Sequence, residues 1–116
     1  YDSQKEIESI VIDRQEFDKI NLGTGGVIVT AKGENCDFVS RFFTPQATIL
    51  EDPVTGSAHC SLTPFWSERL KKNKLIAKQL SLRSGTLYCK DIGDRVLISG
   101  EARLFSTGEI ILEHPY

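Results

Sequence analysis

The chain has 116 residues, 40% hydrophobic and 26% charged, which suits one soluble globular domain. Fourteen Lys and Arg stand against sixteen Asp and Glu, a formal charge of −2, so there is no global basic field to hold nucleic acid or an anionic membrane. No apolar run reaches membrane-spanning length, and Cys36, Cys60 and Cys89, odd in number and without C-x-x-C spacing, read as reduced thiols of a cytoplasmic protein.

In chain order, residues 1–6 are polar and expected to fray, and residues 7–12 form a β-rich run. Asp13 with Glu16 three places on is a capping box in its Asp form. It predicts a short helix over about 14–21, which Gly23, Gly25 and Gly26 stop. Residues 27–31 make a continuous apolar strand that should be covered on both faces, 32–35 a turn, and 36–44 the return strand. Arg41 lies among Phe residues there and needs a partner or a polar opening.

Next comes Glu51-Asp52-Pro53-Val54-Thr55-Gly56-Ser57-Ala58-His59, an acid-proline approach followed by small residues where a helix begins. Pro53 pushes Asp52 out of the helical region, so the Asp52 side chain should stand in the loop. Ala58, Leu62, Phe65, Trp66 and Leu70 then fall on one helical face, favouring a single helix kinked at Pro64 over two helices. Lys71, Lys72 and Lys74 suit a solvated helix C-terminus. Beyond it, Leu80 and Leu82 share one parity and Leu87 and Cys89 the other, so a β-bulge is expected at Ser84-Gly85. Residues 91–94 are a turn, and Val96, Ile98, Gly100, Ala102 and Leu104 alternate as a strand. Residues 106–108 turn again before a closing strand over 109–112. The fold class that follows is α+β: a strongly curved, mostly antiparallel sheet wrapped around one central helix, in a single domain over 1–116.

The helix start is the first candidate site. Thr55 or Ser57 can cap it, while Gly56 and Ala58 leave backbone N–H groups uncovered, as binding of a carboxylate or phosphate requires. An ordinary cap and a ligand site are equally compatible with these residues. Asp52 repels the anion such a site attracts, unless it handles a different part of the same ligand. Ser57 and His59 lack the surroundings of a serine hydrolase, and His59 and Cys60 point about 100° apart on a helix. Thr55-Gly56-Ser57 lacks the lysine of a nucleotide-phosphate loop, and two distant histidines, His59 and His114, make no metal site. Arg83, aimed by the bulge, is a second candidate donor for an anionic ligand, against the plainer reading of an exposed side chain at a bend.

The stretch from Glu51 to His59 resembles the signature of the phenazine-biosynthesis-type isomerase family, which has the diaminopimelate epimerase-like fold. Gly26-Val27-Ile28-Val29-Thr30-Ala31, Asp37-Phe38-Val39-Ser40-Arg41-Phe42-Phe43 and Gly93-Asp94-Arg95-Val96-Leu97-Ile98-Ser99-Gly100 extend the resemblance in order over most of the chain. The resemblance implies two similar halves with an active site between them, of which this chain is the C-terminal one. The chain begins at Tyr1 and contains no Met, which fits a piece of something longer. The glutamate acid/base would then belong to the absent N-terminal half-domain, and the fragment alone would be inactive. Asp52 matches the family aspartate that contacts the substrate's polar substituent near the reacting carbon, and Gly56, Ser57 and Ala58 match the segment that holds its carboxylate. The expected roles are therefore Asp52 and Ser57 as catalytic residues and Thr55, Gly56, Ser57 and Ala58 as substrate-binding residues, with no metal and no cofactor. The expected partners are a small carboxylated metabolite, the N-terminal half and, as a homodimer, a second copy. The competing reading is a non-catalytic anion-binding or dimerisation module.

Overall fold

In the computed structural model, which describes residues 1–114, the chain starts with a helix rather than a frayed end. This helix, α1, spans Gln4–Ser9 and is closed by a capping box: Ser3 Oγ accepts from Glu6 N at 3.3 Å, and Glu6 Oε2 accepts from Ser3 N at 3.2 Å. The β-rich character of residues 7–12 yields to that cap. Ile7 alone of this helix is buried, so its burial needs no strand. Helix α2, Arg14–Phe17, is capped by Asp13 Oδ1, but only that half of the expected capping box forms, since Glu16 Oε1 accepts from Lys19 Nζ, and the helix stops early. Past Asp18 the amides of Lys19 and Ile20 turn to carbonyls three residues back, those of Glu16 and Phe17, and Gln46 Nε2 donates to the Asp18 carbonyl at 3.0 Å.

Six strands follow: β1 Val27–Lys32, β2 Phe38–Phe43, β3 Glu51–Asp52, β4 Lys74–Gln79, β5 Gly85–Asp91 and β6 Val96–Ser99. They form one sheet in the order β1-β2-β4-β5-β6, with β3 paired to the end of β2. All pairs are antiparallel except β2 with β4, whose parallel geometry requires a crossover. Helix α3, Gly56–Leu70, supplies it. The architecture is thus α+β with a mostly antiparallel sheet.

Both faces of β1 and β2 are covered. On one, Val29, Ala31 and Val39 pack with Ile7 and Leu80. On the other, Ala58, Leu62 and Trp66 of α3 bury against Phe38, Leu75, Ala77, Leu87 and Cys89. Trp66 stacks on Phe38 with ring centroids 5.9 Å apart, and its indole N–H donates to Thr30 Oγ1 at 2.9 Å. The helix runs unbroken through Pro64. Phe65 lies off the buried face, edge-on to Trp66, with the Arg69 guanidinium over its ring.

Three expectations change in the C-terminal third. Ser84-Gly85 is not a bulge within one strand: β4 ends at Gln79, the chain reverses over 80–84 with Ser84 at φ 57°, and β5 starts at Gly85 opposite Gln79. The parity flip records that reversal. The next strand stops at Ser99 instead of reaching Leu104, and the closing strand over 109–112 does not form. Residues 101–114 run exposed and irregular, with Phe105 fully accessible. The radius of gyration reflects this, at 17.3 Å against about 13 Å for a compact domain of similar length. No helix among the described residues is long and apolar enough to cross a membrane.

Candidate functional site

Arg41 decides how the site is approached. Its Nε and Nη2 donate to Glu51 Oε1 and Oε2 at 2.7 and 3.0 Å, and its Nη1 donates to the carbonyls of Ile7 and Ile10 at 3.0 and 2.8 Å. One side chain therefore joins the end of α1, strand β2 and strand β3, meeting the demand its apolar neighbours make. Glu51 is thereby fixed, and Asp52 leaves β3 in a set direction, opposite Phe42.

Thr55 occupies the N-cap of α3 with extended backbone, φ −115° and ψ 98°, yet makes no side-chain capping bond. Its hydroxyl donates to Asp52 Oδ2 instead. The first N–H groups of α3, those of Gly56, Ser57 and Ala58, consequently have no side-chain cap. Gly56 and Ser57 are exposed, and a Cβ at Gly56 would meet nothing within 4 Å, so approach to these amides is open. The structure thus brings Asp52, Thr55, Gly56, Ser57 and Ala58 together at one loop and helix start. Ala58 is buried in the core and contributes only its backbone. Thr55 is buried as well, with its one hydroxyl proton committed to Asp52.

Gln79 is the site residue that sequence reasoning missed. Fully buried at the end of β4, it accepts from Thr55 N at 2.7 Å and donates to Asp52 O at 2.8 Å and Thr55 Oγ1 at 3.0 Å. Ser81 adds a bond to Pro53 O at 2.7 Å and accepts from Ser84 N at 2.9 Å, so the 80–84 reversal braces the same loop. Val54 completes the seam: a Cβ on Gly85 would lie 2.4 Å from its Cγ2, so only glycine fits there. Arg83 is exposed on the wall of an open cleft of about 570 Å³ that Val54, Gly85, Ile98 and Glu101 also line. The cleft adjoins the loop, but Asp52 and Ser57 do not line it.

His59 has a structural place. Its Nδ1 lies 2.7 Å from the Thr55 carbonyl and so carries the proton of the neutral ring, while its face stacks on Phe38. Burial pushes its pKa below the usual 6.5, and the hydrogen bond to Thr55 only partly opposes this. Ser57, out in solvent, has no base in this ring. Cys60 is exposed and Cys89 buried, the latter with its thiol pushed up by burial. Among the described residues, no three His, Cys, Asp or Glu side chains cluster as metal ligands would.

The family model for phenazine biosynthesis-like proteins matches residues 2–108. An uncharacterized isomerase of Pseudomonas aeruginosa is 58% identical over 87 residues, covering 75% of this chain and 33% of the relative. A second from the same organism is 46% identical over 112 residues, covering 96% of the chain and 42% of the relative. Among solved structures, a phenazine biosynthesis PhzC/PhzF protein from Clostridium difficile superposes with a TM-score of 0.82 at 46% identity, over 96% of this chain and 42% of that one. The chain thus spans well under half the length of the relatives it matches. With the acid-proline loop and the uncapped helix start inside the matched region, the chain belongs to the phenazine biosynthesis-like family, whose bacterial relatives here are named isomerases.

Proposed function

We propose that this chain is the C-terminal wall of an isomerase or epimerase site that binds a small carboxylated metabolite for acid/base proton transfer. The observation that carries the reading is a helix start with no side-chain cap beside an aspartate whose carboxylate is held in place by Thr55. The amides of Gly56, Ser57 and Ala58 take the substrate carboxylate, helped by the dipole of a 15-residue helix and by the Ser57 hydroxyl. Asp52 accepts from a hydroxyl or amine near the reacting carbon. Removing a proton from a carbon α to a carboxylate builds negative charge on that group, which the aimed amides stabilise.

In this reading the acid/base faces Asp52 from an N-terminal half-domain across an interdomain cleft, and the sheet curves around α3 as its counterpart does in that half. Asp52 and Ser57 are then the catalytic residues on this wall, and no cofactor enters the chemistry. The complete protein is cytoplasmic and pairs as a homodimer. Support for a partner surface comes from residues 101–114, where Leu104, Phe105, Ile110, Ile111 and Leu112 are each at least 75% exposed. The same exposure favours, as the second reading, a module that binds anions and assembles without catalysis.

Titration of the 116-residue chain with propionate, L-lactate and D-lactate, followed through backbone amide shifts, tests the site. Saturable shifts centred on Ser57 and Ala58, with at least one lactate binding more tightly than propionate, are expected. Asp52→Ala should remove the lactate advantage and keep the carboxylate response. Shifts scattered elsewhere would overturn the reading. Deuterium exchange at the lactate α-carbon catalysed by this chain alone would contradict the placement of the acid/base in another half.

A further inference from the structure

The amide of Gln79 can be oriented in one way only. Its oxygen meets the Thr55 N–H, a donor, and its nitrogen meets the Asp52 carbonyl, an acceptor, so flipping it would set like against like at both contacts. The second N–H of that nitrogen reaches Thr55 Oγ1 at 3.0 Å. A hydroxyl has a single proton, and the Thr55 oxygen already accepts from Gln79. Its own proton is therefore directed at Asp52 Oδ2. The chain of donors runs from Gln79 through Thr55 to the carboxylate, and its origin is a fully buried side chain on β4, an interior strand of the sheet.

We infer that Gln79 is a positioning residue that, through Thr55, occupies one oxygen of Asp52 and presents the other to the ligand as an acceptor. This rests on the reading of Asp52 as the contact for the ligand's polar substituent. It adds a statement of specificity. A carboxylate oxygen so presented can only accept, so the substituent beside the ligand's carboxylate must be a donor, a hydroxyl or an amine. A keto group at that position is an acceptor and is disfavoured. Gln79 touches no ligand in this scheme; it acts through the loop.

The test uses the preferred lactate enantiomer, pyruvate and propionate as probes of the full chain, each read through the Ser57 and Ala58 amide shifts. The unmodified chain should bind that lactate roughly fivefold more tightly than either propionate or pyruvate, the ratio one hydrogen bond supplies. Gln79→Met removes the whole clamp, and Thr55→Val removes only the hydroxyl while keeping the Thr55 N–H bond to Gln79. Both should lose the lactate preference, the ratio of lactate to propionate affinity falling from roughly five to about one. If Gln79→Met fails to fold, Thr55→Val alone decides. A folded Thr55→Val chain that keeps the lactate preference overturns the relay and leaves Asp52 its role. An unmodified chain with no preference for either lactate overturns both.

Discussion

Replacing Arg41 with Met tests how firmly the approach to Asp52 is held. The guanidinium makes four hydrogen bonds, two to Glu51 and one each to the carbonyls of Ile7 and Ile10. The paired side chains retain only 14% and 21% of their accessibility, so solvent screens the pair little. Removing one partner leaves the Glu51 carboxylate without its cation and the Ile10 carbonyl without a donor, while the Ile7 carbonyl keeps only the Ile10 N–H at 3.4 Å. Breaking a fully buried pair in this way costs about 3–5 kcal/mol, and this part-buried one belongs at the lower end, about 3 kcal/mol. With an m-value of about 1.5 kcal/mol per molar in urea, the unfolding midpoint should fall by about 2 M. Arg41→Lys restores the charge but not the fork, and should recover less than half of the loss. A double-mutant cycle with Glu51→Gln should return a coupling of about 1.5 kcal/mol or more. A midpoint shift under about 0.5 M for Arg41→Met would show that the pair behaves as a surface contact, and the account of β3 as a braced strand would fail.

The stability of the chain should fall with acid because of His59. Its folded pKa lies below 6.5, so stability is complete above about pH 6.5 and is lost as pH drops from there, the unfolded chain taking up a proton that the buried ring refuses. Melting temperatures at pH 7.5, 6.5 and 5.5 should show a steeper decline for the parent than for His59→Gln; equal slopes would refute the assignment. Gly85→Ala should cost about 1–3 kcal/mol by driving a methyl into Val54, and adding Val54→Ala should restore most of it in thermal unfolding. A neutral Gly85→Ala would show that the close approach does not hold Val54. Maleimide labelling followed by mass spectrometry should modify Cys60 first and Cys89 only on unfolding, since burial both shields the Cys89 thiol and raises its pKa. Equal labelling rates would contradict the packing of Cys89 beneath α3.

Where the pattern in the sequence had one physical explanation, it was readable. The spacing of Ala58, Leu62 and Trp66 fits a helix on a sheet, and the apolar run 27–31 meets a cluster on each face, around Ile7 on one and α3 on the other, though only Ala31 is fully buried and Val27 to Thr30 are half-buried. Arg41 among phenylalanines demanded a partner and has Glu51. Patterns with two explanations misled. A parity flip near residue 84 fits a bulge or a reversal, and the residue that makes the reversal, Ser84 with positive φ, is not a type that announces a left-handed turn. The alternation from Val96 to Leu104 is a genuine strand pattern, but past Ser99 the chain leaves the sheet, and the described residues cover neither of its faces.

Gln79 shows why the site was half legible. Its signal was a polar residue on the inward parity of β4 after Leu75 and Ala77, which asks for a buried partner. That parity is visible only once 74–79 is known to be a strand, and the lysines at 71, 72 and 74 suggest a helix terminus instead. The clamp also bears on the balance between cap and ligand site. A threonine at an N-cap ordinarily bonds one of the first helix amides, a contact worth about 1 kcal/mol. Thr55 forgoes it and turns its hydroxyl to Asp52, under direction from Gln79. A buried network that holds a carboxylate at the expense of a helix cap is poorly explained by stability alone. It is well explained if those amides are reserved for an acceptor from outside the chain.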